Sequence, residues 1–363
     1  MKRPSVERRP FGTAPGGEAV ALFALTSREG LTAAVMSYGA TVTSLRAPDR
    51  RGRLGEVVLG HDSLEGYLAS PRVYLGTTVG RYANRIARGE LPLEGRTFSL
   101  ARNDGENHLH GGSRGFDKVV WAADAAETSA GVAVVFRHRS PDGDEGYPGA
   151  LSVEVSYTLT DAGELVMDAA ATTDAVTVCN LAHHGYFNLD QPARRDVLGH
   201  LLRIGADRFT PVGPGLIPTG ELRHVGGTPM DFRTPTAIGA RLGSADPQLA
   251  LAGGYDHNWV VAEGVGAGGV PGGLRSVARL IGLEAGRTME VLTTEPGLQF
   301  YSGNFLDGSV VGRGGWAYQR HAALCLETQH FPDSPHQPGF PSTVLRPGET
   351  YRTTTVYRLG VER

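Results

Sequence analysis

Apolar and polar residues alternate with a period of two through most of the chain, the pattern of half-buried β-strands. AVALFALTS at 19–27 is followed by a turn at Arg28-Glu29-Gly30, and LTAAVMSYGATVTSLRAP at 31–48 continues as its partner. Pro48-Asp49-Arg50-Arg51-Gly52 makes a second turn before EVVLGH at 56–61. Three clear strands follow at 132–140, 150–160 and 164–173, separated by PDGDEGYPG and Asp161-Ala162-Gly163. Further strands are expected in 179–189, 257–263, 276–282, 288–303 and 349–359. Helical periodicity is confined to two short candidates, 62–68 capped by Asp62 and TAIGARLG at 236–243. Many short strands with Gly/Pro turns and no α/β alternation predict an all-β fold, a sandwich or barrel.

Composition narrows this further. At 363 residues, 40% hydrophobic and 20% charged, the length prior suggests two domains, but a big all-β sandwich often forms one, expected here over 1–363, and 51 glycines and 22 prolines suit its turns. A net charge of −3 gives no electrostatic reason to bind nucleic acid or an anionic membrane, and no apolar run has the length of a membrane-spanning helix. The basic start MKRPSVERRP, followed by a short apolar run broken by Glu18 and Gly16-Gly17, reads as a frayed extension over about residues 1–17 and not as a signal peptide. Cys179 and Cys325 both lie in apolar strand-like runs, so two buried thiols in a reducing, cytoplasmic setting are expected.

Two tempting motifs fail on context. Gly111-Gly112-Ser113-Arg114-Gly115 has nucleophile-elbow spacing, but the FDKVVW after it reads as strand or loop. Gly264, Gly266 and Gly269 have dinucleotide-loop spacing, but Pro271 follows and no helix does. Chemistry is better sought at 321–341, HAALCLETQHFPDSPHQPGFP. There Leu324 and Leu326 alternate with Cys325 and Glu327, which puts a carboxylate on a strand face as the strand gives way to a loop. Four other segments place polar groups where strands meet loops: 80–86 with Asn84 and Arg85, 107–112 with His108 and His110, 180–187 with His183 and His184, and 254–258 with Asp256. Such hydrogen-bonding side chains suit a sugar pocket. The rival reading is a metal shell from His108 and His110, expected on one strand face, with one of His183/His184 and Asp256. The spacings HExxH and CxxC are absent, so no metal is expected.

The chain resembles the aldose 1-epimerase (galactose mutarotase) family. The resemblance rests on GRYANRI at 80–86, NxLHGGxRGFDKxxW at 107–121, NLxHxxYFNL at 180–189, GYDHNW at 254–259, EPGLQFYSGN at 295–304 and CLETQHFPDSPHQP at 325–338, in order over nearly the whole chain. It implies a large antiparallel β-sandwich and interconversion of the α and β anomers of free aldoses such as galactose and glucose, without a cofactor. It further implies Glu327 as general base, His184 as general acid, His110 as a second active-site histidine, and Arg85, Asn84, Asp256 and Gln299 as sugar-binding groups. Two positions depart from the family pattern: His108 stands where a small polar residue is expected, and His183 doubles His184. Phe331 and Tyr186 are candidates for an aromatic wall, Cys325 for packing behind Glu327, and the loop 328–338 for the rim of the cleft.

Overall fold

The computed structural model describes residues 3–190, 196–261 and 273–362. Three sheets carry the architecture. A five-stranded sheet runs in chain order through Ser5–Thr13, Ala19–Thr26, Thr32–Met36, Thr41–Pro48 and Leu54–Glu56. A nine-stranded antiparallel sheet takes the long strands Gly131–Ser140, Leu151–Thr160 and Glu164–Thr173 and continues through Tyr351–Val361, Arg287–Thr293 and Arg275–Ile281. A six-stranded sheet has the order Tyr186–Phe187, Leu324–Gln329, Gly297–Tyr301, Asp256–Val260, Arg208–Thr210, Arg223–His224.

The six-stranded sheet positions the site, because its two faces have opposite jobs. Leu324, Leu326, Leu298, Phe300 and Trp259 join one apolar cluster with Val155, Tyr157, Met289, Val291 and Tyr357 of the nine-stranded sheet. Tyr357 Oη donates to the Leu326 carbonyl at 3.3 Å and its ring lies 5.0 Å from that of Phe187, so the two sheets are keyed as well as packed. Burying each such Leu or Phe is worth about 1.5–3 kcal/mol. By the two-residue alternation, Cys325, Glu327 and Gln329 point the other way, and the register sets Asn258, Gln299 and Glu327 side by side across three strands.

Several local expectations are corrected. Residues 5–13 are not frayed: Ser5–Thr13 pairs with Ala19–Thr26 as an edge strand. Its mostly exposed, charged sequence hid it. Helix α1 (Leu64–Ala69) begins after Ser63, and the Asp62 carboxylate instead accepts from the Gly314 amide. TAIGARLG is a two-residue strand, Thr236–Ala237, running into a single 3₁₀ turn. The other α-helix among the described residues is α2 (Pro247–Ala252), capped by Asp246, whose carboxylate accepts from the Gln248 amide, with Gly253 left-handed at its end. After Gly115 comes one 3₁₀ turn, Phe116–Lys118, so no nucleophile elbow forms. Gly264, Gly266 and Gly269 lie outside the described residues.

Candidate active site

Glu327 stands on an inner strand of the six-stranded sheet, next to the edge strand Tyr186–Phe187, at the floor of a pocket of about 260 Å³. Tyr74, Asn84, Arg85, Leu109, His110, His184, Tyr186, Asp256 and Tyr301 form its walls, and Arg72, Val73, Phe305 and Leu306 form the rest. That volume lies below the roughly 300–1,000 Å³ of drug-sized sites, and suits one small polar molecule. Glu327 is buried and its Oε2 has no hydrogen-bond partner; the nearest base is His184, whose Nε2 lies 3.8 Å away. Burial, reinforced by the Asp256 carboxylate and opposed by Arg85, raises the Glu327 pKa well above the ordinary carboxylate value.

His184 is held by the chain on both sides. Its amide donates to Thr77 O and its carbonyl accepts from Gly76 N, each at 2.9 Å. Tyr186 and His110 flank its ring at 5.2 and 5.1 Å, and Cys325 Sγ lies 3.6 Å from Nδ1. Burial lowers its pKa to about 4, so the imidazole is neutral at pH 7.

The Asn84 amide donates to His110 Nδ1 at 3.2 Å, while the Asn84 carbonyl accepts from the His110 amide at 3.0 Å. Both residues are left-handed, with φ of 63° and 50°. Burial drives the His110 pKa well below its ordinary value. A neutral ring accepting at Nδ1 carries its proton on Nε2, so His110 is a fixed hydrogen-bond donor. The close approach that shapes this corner needs glycine next: at Gly111, φ is 88° and a Cβ would come within 1.7 Å of the Gly80 carbonyl oxygen.

Arg85 and Asp256 close the polar ring. Arg85 Nε donates to Asp104 at 2.8 Å, and its amide donates to Asn84 Oδ1 at 2.9 Å. Asp256 accepts from Gln299 Nε2 at 2.6 Å, and burial raises its pKa. Gln299 is thus one step behind the wall, bracing Asp256.

The metal shell considered from the sequence does not assemble. His108 and His110 do not share a face, because the strand ends at Leu109 and His110 turns left-handed. His108 Nδ1 donates to the Ala101 carbonyl and its Nε2 accepts from Tyr147 Oη, each at 2.6 Å, away from the pocket. His183 packs edge-on to Tyr157, Phe187 and Tyr357 inside the core, so neither extra imidazole reaches the site. His110, His184 and Glu327 do bring ligand-type atoms within 4.8 Å of one another. A metal-bound imidazole, however, donates its second N–H to an acceptor, whereas His110 meets a donor there, which leaves no lone pair on Nε2. The trio fits proton transfer better than a cation.

Of the two aromatic candidates only Tyr186 lines the pocket; Phe331 packs on Phe340 at 5.2 Å. The loop 328–338 is not the rim either. It buttresses the Arg85 strand: Phe331 O accepts from Tyr82 Oη, and Asp333 Oδ1 accepts from the Ala87 amide. The rim is Arg72, Val73, Phe305 and Leu306. Tyr74, 4.7 Å from the His110 ring, has no signal in the sequence, whereas Tyr301 follows from alternation with Gln299 on its strand.

Comparison with known proteins identifies the family. The sequence model of aldose 1-epimerase matches residues 21–358. The chain belongs to the aldose 1-epimerase family. It is 44% identical over 358 residues to galactose mutarotase of Bos taurus, covering 98% of this chain and 99% of that protein. Aldose 1-epimerase of Escherichia coli (strain K12) is 38% identical over 352 residues, 96% and 98% of the two chains. The crystal structure of galactose 1-epimerase from Lactobacillus acidophilus superposes with a TM-score of 0.84 at 27% identity, covering 99% and 100%. The family's antiparallel β-sandwich is the fold described above, and no helix among the described residues is long and apolar enough to cross a membrane.

Proposed function

We propose that this aldose 1-epimerase interconverts the α and β anomers of free aldohexoses such as galactose and glucose by acid–base ring opening and re-closure. The carrying observation is the buried Glu327–His184 pair, 3.8 Å apart on the floor of a monosaccharide-sized pocket. Anomerisation needs one group to take the C1 hydroxyl proton and another to protonate the ring oxygen O5 as the C1–O5 bond breaks. The aldehyde turns about C1–C2, and the same two transfers in reverse close the ring on its other face. Glu327 is assigned as base and His184 as acid. His110, with its proton on Nε2, donates to a sugar oxygen, while Arg85, Asn84 and Asp256, braced by Gln299, fix the ring hydroxyls. Each positioned transfer is worth about 10²–10⁴-fold in rate.

The reaction begins and ends with one proton shared by the pair, so no cofactor enters the balance. One apolar cluster draws on all three large sheets, which supports reading 1–363 as one domain. Cys179 and Cys325 are both buried free thiols, in keeping with a cytoplasmic setting. Polarimetry of freshly dissolved α-galactose and α-glucose, with glucose 6-phosphate alongside, tests the proposal. Faster equilibration of the free sugars is expected; rates equal to buffer across several aldoses would overturn it.

A further inference from the structure

The acid must change protonation state twice per turnover, and whatever touches its far nitrogen must tolerate both states. Cys325 Sγ is that neighbour, 3.6 Å from His184 Nδ1 and within the range of a sulfur hydrogen bond. The register places it there: Cys325 lies opposite Tyr186 on one side and Tyr301 on the other, two residues before Glu327 on the same strand face. The thiol is fully buried, in one apolar cluster with Tyr67, Leu306 and Ala323, so it remains S–H. A thiol is both a weak donor and a weak acceptor. The imidazolium gives its Nε2 proton to O5, so the proton left on the neutral ring is the one on Nδ1, and Nδ1–H donates to sulfur in both states. A carboxylate at this place would favour the imidazolium over the neutral ring, and a methyl would serve neither state.

From this geometry we infer that Cys325 is a positioning residue for the acid, a weak acceptor that holds the His184 Nδ1–H through both protonation states and so leaves Nε2 to carry the transferred proton. The inference rests on the assignment of His184 as acid. No bond to sulfur forms and no redox step is involved.

The test compares Cys325→Ser, which keeps an acceptor, with Cys325→Val, which keeps the bulk but is mute. Valine is expected to lower kcat on the order of 10-fold, the worth of about one hydrogen bond, with KM unchanged. Serine is expected to recover most of that loss. In a His184→Ala background, Cys325→Val should lower kcat no further. Wild-type kcat in the valine variant, or a serine variant as slow as valine, overturns the inference. The ¹⁵N shift of His184 Nδ1, measured with selectively labelled histidine, gives a second readout that does not depend on turnover. It should move between wild type and Cys325→Val, and an unmoved resonance overturns the inference even if the protein proves inactive on aldoses, a result that would separately refute the proposed function.

Discussion

Glu327→Gln tests the core of the mechanism, because it changes the base and little else. The side chain keeps its volume on a buried strand position, and the wall groups Arg85, Asn84 and Asp256 stay where they are. If Glu327 takes the C1 proton, its loss should cost about 10²–10⁴-fold in kcat, or about 3–5 kcal/mol of barrier. KM should stay within about threefold, since the hydroxyl contacts that bind the ground state are untouched. Stability points the other way. Oε2 is buried with no hydrogen bond and faces the repulsion of Asp256, so a neutral amide relieves a desolvation penalty. The variant should therefore unfold at no lower temperature than wild type. Polarimetric progress curves on α-galactose over a range of concentrations, corrected for the spontaneous reaction, give kcat and KM, and calorimetry gives Tm. Undiminished kcat at intact Tm would remove Glu327 as the base; a loss of rate that tracks a loss of Tm would mean only that the strand had been disturbed.

Four further outcomes follow from the same geometry. The acid limb of kcat/KM should lie near pH 4 and not near 6.5, because inactivation requires a second proton on a pair whose imidazole titrates at about 4; a midpoint at 6.5 in a pH–rate profile would contradict the burial argument. Folding stability should fall steeply between pH 7 and 5: His183 and His257 titrate near 3 and His108 and His184 near 4 in the native state. These depressed histidines are protonated in the unfolded chain below about 6.5 while the folded ones remain neutral, so each subtracts about 2 kcal/mol by pH 5, and a urea midpoint independent of pH would refute it. Gly111→Ala should destabilise by about 3–5 kcal/mol, since its Cβ meets the Gly80 carbonyl at 1.7 Å, as denaturant unfolding will show. Asp256→Ala should raise KM for galactose about 10-fold or more and leave the fold intact by circular dichroism.

The alternation of side chains made the sheets legible, and with them the side of the strand on which Glu327 sits. It also set His183 and His184 on opposite faces without saying which is functional, and the structure sends the His183 ring into the core against Tyr157 and Tyr357 and the His184 ring to Glu327. The same rule misled at 108–110, because the alternation holds only while the backbone stays extended and His110 has a φ of 50°. The residues left-handed at Asn84, His110 and Tyr74 carry no local mark such as glycine, and each turns a side chain into the site. The rim was misplaced for a related reason. The loop 328–338 is polar in sequence, but its Asp333 and Ser334 are spent holding the chain at 82–87, whereas the actual rim residues Phe305 and Leu306 look like core in sequence.

Burial moves Glu327 up and His184 down, which at first sight disarms both a base and an acid. The opposite holds once the two are taken with the sugar. Ring opening starts from a carboxylate beside an imidazolium and ends with a carboxylic acid beside a neutral imidazole. Both states hold the same number of protons, so pH does not choose between them, and the polarity of the pocket does. A wall of Tyr74, Tyr186, Tyr301 and Leu306 favours the uncharged pair, which is the state that coexists with the open-chain aldehyde. The step that breaks the C1–O5 bond thus discharges two buried charges as it proceeds, returning the desolvation cost of forming the ion pair from a pair that rests uncharged at pH 7. Closure on either face must recreate the ion pair, and it does so against the stability of the ring formed. A water-filled pocket would stabilise the charged pair and lose that balance, which gives a physical reason for a site this deeply enclosed in a protein whose substrate is itself highly soluble.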